Sequence, residues 1–494
     1  MPADASYADG SSSADVAVVG AGPNGLAAAV TLARAGLSVD VLERNSYAGG
    51  GASTREITLP GYRHDLASAV HPMALASPFF RAFELEQRIE LAVPELSFGH
   101  PLPDGRVGKA WHSLARTADG LGRDGRAYRR LFGPMLEHVD EVNDFTTQSL
   151  IGIPESIWAA TIFGLRTLEQ GSPVWNARFR EDIAPALLTG AAAHIIGRHP
   201  RLSMAGGGLA LTLNAHARGW PVPIGGSQSI SDALVADLTA HGGRVLTGVD
   251  VTSYADVAGY GTVLLDTSTS VLAQILGDRA PERYRKALQR FRHGNGASKV
   301  DFALSGPVPW TDPDLRRTPT VHLGGTRAQI AAAEAEVARG RVPTHPYVLV
   351  TQPSVIDPTR APEGHAVLWA YAHVPYDSPV DMTEAITAAV ERYAPGFRDL
   401  VLASTATPAS ELHTVSPNFA GGDFATGAVN LVQMLKRPVV STHPWRTPVE
   451  GVYLASSATT PGPSVHGLAG WYAARLALQE RFGLESPDLG PADA

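Results

Sequence analysis

Three glycines, Gly20, Gly22 and Gly25, stand in the order G-x-G-x-x-G directly after the β-branched run Asp15-Val-Ala-Val-Val, and Glu43 follows 23 positions after the first. Glycines so spaced permit a tight turn, bring backbone close to a pyrophosphate and let a helix pack against a strand. The phosphates are then held by main-chain N–H groups and the positive end of the helix. Glu43 stands where a carboxylate accepts both hydroxyls of an adenosine ribose, and its charge argues against a 2'-phosphate there. The motif carries weight only between a strand and a helix. The alanine-rich stretch Leu26 to Ala35 reads as that helix, and Leu37 to Leu42 as a second strand ending at Glu43. These residues predict a Rossmann-like nucleotide unit and leave NAD and FAD both open.

The chain that must position this unit has 494 residues, 40 Lys plus Arg against 48 Asp plus Glu, a net charge of -8 and 44% hydrophobic residues. Such a chain builds a sizeable core, as about two to four domains or one interleaved unit. An acidic balance without a basic run excludes nucleic acid as a partner, because that binding rests on neutralising phosphates. The absence of cysteine excludes disulfide scaffolds, zinc ribbons, thiolate-held iron-sulfur clusters and a cysteinyl-flavin bond. His194 and His199 flank Ile-Ile-Gly-Arg with nothing at ligand spacing to join them, so no metal site is expected. Residues 1–13 read as a loose tail without the cationic and apolar regions of a secretory signal, which makes the cytoplasm the expected location. Only four of the basic residues are Lys, the mark of a GC-rich genome, and a bacterial source is expected. The longest stretch free of Asp, Glu, Lys and Arg, Gly451 to Ala474, is broken by Pro461, Pro463 and several glycines and is no membrane span.

Beyond Glu43-Arg44, Gly49 and Gly50 lie six and seven residues after the acid and Thr54 eleven after it. This resembles the second signature of FAD enzymes in the amine oxidase superfamily, an acid followed by GGRxx[ST], with Gly51 where relatives carry Arg. Gly61-Tyr-Arg-His64-Asp65 and Ser68-Ala-Val-His71-Pro72 then follow. Their cadence looks like the phytoene desaturase-like FAD-dependent oxidoreductases, in the carotenoid desaturase and retinol saturase branch. Read as residues alone, His64 and His71 are structural hydrogen-bonders more readily than catalysts. At the other end, Gly451-Val-Tyr-Leu-Ala-Ser-Ser457-Ala-Thr459-Thr-Pro461-Gly462-Pro-Ser-Val465-His466-Gly467 reads as strand and loop before a helix. It resembles the family's closing flavin signature, with Ser457 at the position nearest the usual Asp. A helix opening near Val465 to Gly467 turns its positive end toward whatever lies before it, which favours an anionic reduced flavin.

The resemblance spans about residues 15 to 483 and implies an α/β fold: a GR2-type, Rossmann-like FAD-binding domain interleaved with a substrate domain of mixed sheet and helical cap. The expected FAD-binding domain is 14–75, 221–292 and 421–494; the cap and substrate domain is 76–220 and 293–420. The implied FAD contacts are Gly20, Gly22, Asn24, Gly25, Glu43, Arg44, Gly49, Gly50, Gly51, Thr54, Val251 (or Val249, by backbone to the adenine), Ser457, Val465, His466 and Gly467. Between 80 and 217 the pattern is helical, with Tyr128 to Leu150 and Ile157 to Leu168 as long apolar segments. They pack on each other, line a tunnel for a greasy substrate, or dip into a membrane interface. Pro221 to Gly226 reads as a turn that Ser227 caps before an amphipathic helix.

Lys299 is a candidate to approach flavin N5, as a lysine does in amine oxidases, although a strand lysine alternating with Val and Phe more often faces solvent. Asp423 and Arg437 fall in elements that look like the family's GGDxxxG and QxxxRP segments and are candidates for pocket polarity, or else a loop turn and a surface ion pair. His466 is the first choice for moving a proton, since an imidazole titrates near neutral pH. The implied reaction is hydride transfer between a lipophilic, isoprenoid-like substrate and flavin N5, in the cytoplasm or in peripheral contact with a membrane. An amine or amino-acid oxidase, a redox isomerase and a non-catalytic flavin or lipid binder share these marks.

Overall fold

A computed structural model describes residues 14–149 and 151–491, so the expected tail lies outside the described residues. Five short parallel strands form one sheet in the order Val452–Leu454, Thr262–Leu265, Val16–Val19, Val39–Glu43, Arg244–Thr247. The first four are buried throughout, as β-branched runs covered on both faces must be. Strands from the two ends and the middle of the chain thus make a single Rossmann-like layer.

The helix Pro23–Arg34 opens directly from the glycine turn, with Pro23 in its first turn. A Cβ at Gly25 would lie 2.0 Å from the Gly20 carbonyl oxygen, so no other residue lets the helix leave the strand this closely. The C-terminal helix Leu468–Ala477 packs beside it. There a Cβ at Gly470 would lie 1.7 Å from the Asn24 carbonyl oxygen.

A second, mixed sheet of seven strands runs Val401–Thr407, Gly296–Leu304, Ala366–Val374, Val348–Thr351, Thr320–Leu323, Leu96–Pro101, Val107–Trp111. Lys299 pairs with Tyr371 and Asp301 with Trp369, while Tyr371 and Trp369 pair in turn with Leu349 and Thr351. Side chains alternate along strands, so these residues share one face. Over this sheet sit the helices Gly125–Leu136, Val139–Thr147, Ile157–Gln170, Ile183–Ala192 and Leu202–Ala217, with their own apolar core around Phe132, Phe163, Leu187 and Trp220.

Two local expectations are corrected. The segment Tyr128 to Leu150 is not one helix: it ends at Leu136 and restarts at Val139, and Leu150 lies outside the described residues. Pro134 has no N–H for the Arg130 carbonyl. The Arg166 guanidinium takes that carbonyl instead, at 3.3 Å. Ser227 precedes the helix Gln228–Ala240 but makes no cap hydrogen bond. Its hydroxyl donates to the Ser68 carbonyl and accepts from His71 at 2.8 Å, while Thr54 Oγ1 takes the Gln228 N–H at 3.1 Å.

Candidate active site

One cavity of about 740 Å³ runs from the glycine turn to the helical cap. That volume lies within the range of cofactor and substrate sites. At the nucleotide end it is lined by Gly20, Gly22, Asn24, Glu43, Arg44, Gly50, Gly51 and Val251, and farther along by Ser457, Val465 and His466. Gly25, Gly49, Thr54 and Gly467 stand behind this lining and shape it. A Cβ at Gly50 would approach Gly22 Cα to 3.1 Å, so the two glycine-rich turns meet edge to edge. Thr54 Oγ1 donates to buried Asp65 at 2.6 Å.

Glu43 is buried at the end of its strand, one oxygen accepting the Ala21 N–H and the other the Asn45 N–H, each at 2.8 Å. A carboxylate has about four acceptor positions, so two remain for a diol. Val249 N–H is spent on the Glu43 carbonyl at 2.9 Å, which makes Val251 the better placed of the two expected adenine contacts. The helix Pro23–Arg34 has no acidic residue in its first turn and no side-chain cap. Apart from the Gly25 N–H, its positive end is therefore available to an anion.

Asp266, not singled out from the sequence, follows Thr262–Leu265 and so emerges beside the glycine turn. Its Oδ2 accepts the Gly25 N–H at 3.0 Å. Burial pushes its carboxyl up to about 7; the Gly25 hydrogen bond opposes this and the Glu43 charge adds to it. Phe419 accounts for the missing arginine: a Cβ at Gly51 would meet its ring at 3.0 Å, so an aromatic side chain already fills that volume.

Ser457 Oγ accepts from Asn24 Nδ2 at 3.3 Å, tying the closing loop to the first helix. Arg437 is neither a surface ion-pair residue nor part of the cavity wall. It is buried and donates to the carbonyls of Ser457 (2.9 Å), Ala425 and Thr426, which makes it a brace behind the loop. Asp423 lines the cavity but holds its own turn, accepting the N–H groups of Gly294 (2.7 Å), Gly427 (2.8 Å) and Ala425 (3.0 Å).

His466 does not fit the expected proton carrier. Its Nδ1 accepts the Leu468 N–H at 3.0 Å and its Nε2 donates to the Gly462 carbonyl at 3.2 Å, so both ring nitrogens are used. Burial lowers it to about 4, leaving it neutral at physiological pH. The ring organises the loop before the C-terminal helix.

Lys299, for which solvent exposure was the commoner expectation, is buried and lines the cavity. Its ammonium lies 5.6 Å from the Trp369 ring centroid and pairs with buried Asp301. Burial lowers Lys299 and pushes Asp301 up to about 6, and the opposite charge of each opposes the shift of the other. Below it, His64 Nδ1 lies 3.5 Å from Asp301, and Asp65 is held by Arg360, Thr54 and the Ser227 N–H. Burial drops His64 to about 3 and His71 to about 4, so both act as neutral hydrogen-bonding residues. Beyond Lys299, the cavity turns apolar, walled by Trp369, Tyr371, Leu349, Phe163, Leu168 and Leu211. Among the described residues, no helix is long and apolar enough to cross a membrane and no group of three or more acidic or histidine side chains is placed to hold a metal.

A Rossmann-like dinucleotide cradle thus opens into a chamber between a mixed sheet and a helical cap. Residues 18–83 match the NAD(P)-binding Rossmann-like domain family. The resemblance drawn from the motif order holds along the chain. A rat protein named pyridine nucleotide-disulfide oxidoreductase domain-containing protein 2 is 25% identical, covering 94% of this chain and 93% of its own. The neurosporene-forming phytoene desaturase of Rhodobacter capsulatus is 24% identical over 92% of this chain and 91% of its own. In three dimensions, a putrescine oxidase variant redesigned in its cofactor binding aligns with a TM-score of 0.60 at 17% identity, covering 94% of this chain and 98% of the other. At that identity the likeness concerns the fold.

Proposed function

We propose that the chain is an FAD-dependent dehydrogenase or desaturase acting on a lipophilic, isoprenoid-like substrate. The observation that carries this reading is the single cavity joining Gly22 and Glu43 to an apolar chamber under the cap. The cradle residues fit FAD. Glu43 takes the ribose diol, the Gly20 to Gly25 turn and the first helix take the pyrophosphate, and the Ser457 to Gly467 loop borders the ring system. Bound there, the flavin supplies hydride acceptance, chemistry that belongs to the cofactor. The chain's own residues orient the substrate and exclude water. The aromatic pair Trp369 and Tyr371, 5.3 Å apart and at 88°, forms an edge-to-face aromatic corner against which a conjugated or allylic chain packs. Lys299 with Asp301 offers one polar point at that corner, where a proton is held or moved.

An amine oxidase is the second reading, favoured by buried Lys299 and disfavoured by the apolar chamber. Peripheral contact with a membrane belongs to the proposal too, since a water-insoluble substrate must enter from lipid. The test is the visible spectrum of the purified chain before and after FAD addition, followed by anaerobic reduction with polyene lipids and with primary amines. A bound flavin band bleached by polyenes is expected. A colourless protein that does not titrate with FAD would overturn the redox reading, and bleaching by amines alone would favour the second.

A further inference from the structure

On the cap side of the cavity, His194 is the one titratable group among the described residues. Of the hydroxyls near it, Thr167 Oγ1 is buried without a partner, while three others are already engaged. Thr146 and Thr147 donate to backbone carbonyls within their own helix, and Ser203 donates to the Val429 carbonyl at 2.9 Å. His194 Nε2 lies 2.9 Å from His322 Nε2, which leaves Nδ1 as the ring nitrogen without a protein partner.

Two buried histidines behind it decide the protonation of that nitrogen. His100 Nε2 lies 2.7 Å from the Gly325 carbonyl oxygen. A carbonyl only accepts, so Nε2 carries the hydrogen, and in a neutral ring Nδ1 is then bare. His100 Nδ1 and His322 Nδ1 are both buried, and neither makes a hydrogen bond. They face the same spot: a Cβ at Gly190 would lie 2.6 Å from the first and 2.9 Å from the second. Two lone pairs turned on each other in a dry site are unfavourable, so His322 Nδ1 bears a hydrogen and its Nε2 is bare. His194 Nε2 must then be the donor in their contact, and His194 Nδ1 is bare toward the lumen. Burial keeps the rings neutral, lowering His100 to about 4, His194 to about 3 and His322 well below its ordinary value.

We propose that His194 Nδ1 is a hydrogen-bond acceptor that seats an O–H or N–H group of an otherwise apolar ligand, with His322 and His100 as the positioning residues that fix its tautomer. This rests on reading the cap side of the cavity as the substrate's seat. Alcohols and amines are favoured there over ethers and hydrocarbons, and carboxylates, which only accept, are disfavoured. The proposal extends the substrate class from lipophilic to lipophilic with a donor group.

The test uses the full chain, supplemented with FAD, at pH 7. The fluorescent polyene 1,6-diphenylhexatriene is loaded and displaced by decan-1-ol or by its isomer 1-methoxynonane, each corrected for its octanol–water partition. Leaving a buried acceptor unpaired is costly, so decan-1-ol is expected to compete at about tenfold lower concentration. His194→Phe and His100→Leu should each retain the polyene and erase the preference, although His100 does not line the cavity. That loss reports the tautomer and is not what general loosening of the cap would produce. Equal competition by the two isomers, or a preference that survives His194→Phe, would overturn the proposal and leave the proposed function standing. Failure of the polyene to bind would overturn both.

Discussion

Asp266 and His466 reverse the roles their residue types invite. The carboxyl titrates near neutrality and the imidazole does not, because both are buried and burial disfavours the charged form of each, raising the acid and lowering the base. The consequence for Asp266 is a pH dependence with a definite sign. Its native value, about 7, lies above its ordinary value, so its contribution to stability is full at low pH and is lost as pH rises through 7. Ionised, it sets a negative charge beside the turn proposed to hold the pyrophosphate. FAD affinity should therefore fall as pH rises from about 6 to about 8. Asp266→Asn keeps an acceptor for the Gly25 N–H and removes the titration. Its FAD dissociation constant, measured by flavin fluorescence across that range, should vary less than the wild type's. Parallel profiles for the two proteins would exclude Asp266 as the cause. Glu43 was legible from its place at a strand end, whereas Asp266 was not, because its significance depends on a strand pairing 246 residues apart in sequence, Val16 with Thr262.

The helix Ile157–Gln170 shows what an element can reveal that periodicity cannot. Its sequence left packing, tunnel lining and membrane contact open, and the structure gives it one face to the core and the cavity and leaves another apolar face exposed. Phe163 packs in the cap core and lines the cavity, as does Thr167 on the lumen side, while Ile157, Trp158, Leu165 and Leu168 are exposed, with Ile153 just ahead of them 91% exposed. A second exposed apolar group is Leu431, Val432, Leu435 and Val440, of which Leu431 also lines the cavity. The two are bridged: Leu202 packs on Gly171 at the helix end, and Ser203 hydrogen-bonds the Val429 carbonyl. Exposed Arg198, Arg201 and Lys436 flank this rim. Apolar groups beside basic ones suit an anionic lipid surface, which makes the proposed membrane contact testable here. The chain should cofloat with phosphatidylglycerol vesicles and bind neutral ones less. Trp158→Glu with Leu165→Glu should lower vesicle binding by about tenfold or more without changing the FAD titration. Equal flotation of the variant would exclude this helix as the contact.

At the scale of the whole molecule, the strand-turn-helix opening and the closing flavin-like loop were each readable, since both are local. The seven-stranded sheet was not. Its order brings Leu96–Pro101 beside Thr320–Leu323 and places Val401–Thr407 outside Gly296–Leu304, pairings that no local pattern encodes. Nor did composition foretell that the first and last helices touch through glycine, Gly470 against Asn24, while Ser457 bonds the Asn24 side chain. The proposed nucleotide site thus draws on both the first helix and the C-terminal loop, so cofactor binding there should be thermodynamically linked to their closure. A ligand at a hundred times its dissociation constant adds about 2.7 kcal/mol to the stability of the state that binds it. For a chain of this length that corresponds to a rise of a few degrees in the unfolding midpoint. Wild-type protein should show this rise when FAD is added in such excess. Gly470→Val forces the helices apart, since even its Cβ would lie 1.7 Å from the Asn24 carbonyl oxygen. The variant should unfold at lower temperature without FAD and should gain little from FAD, because the surface that loses packing is also the one that completes the site. A variant that melts early yet keeps the full FAD-dependent rise would mean that the N-terminal unit binds the cofactor without the C-terminal helix, and the linkage argued from this contact would fail.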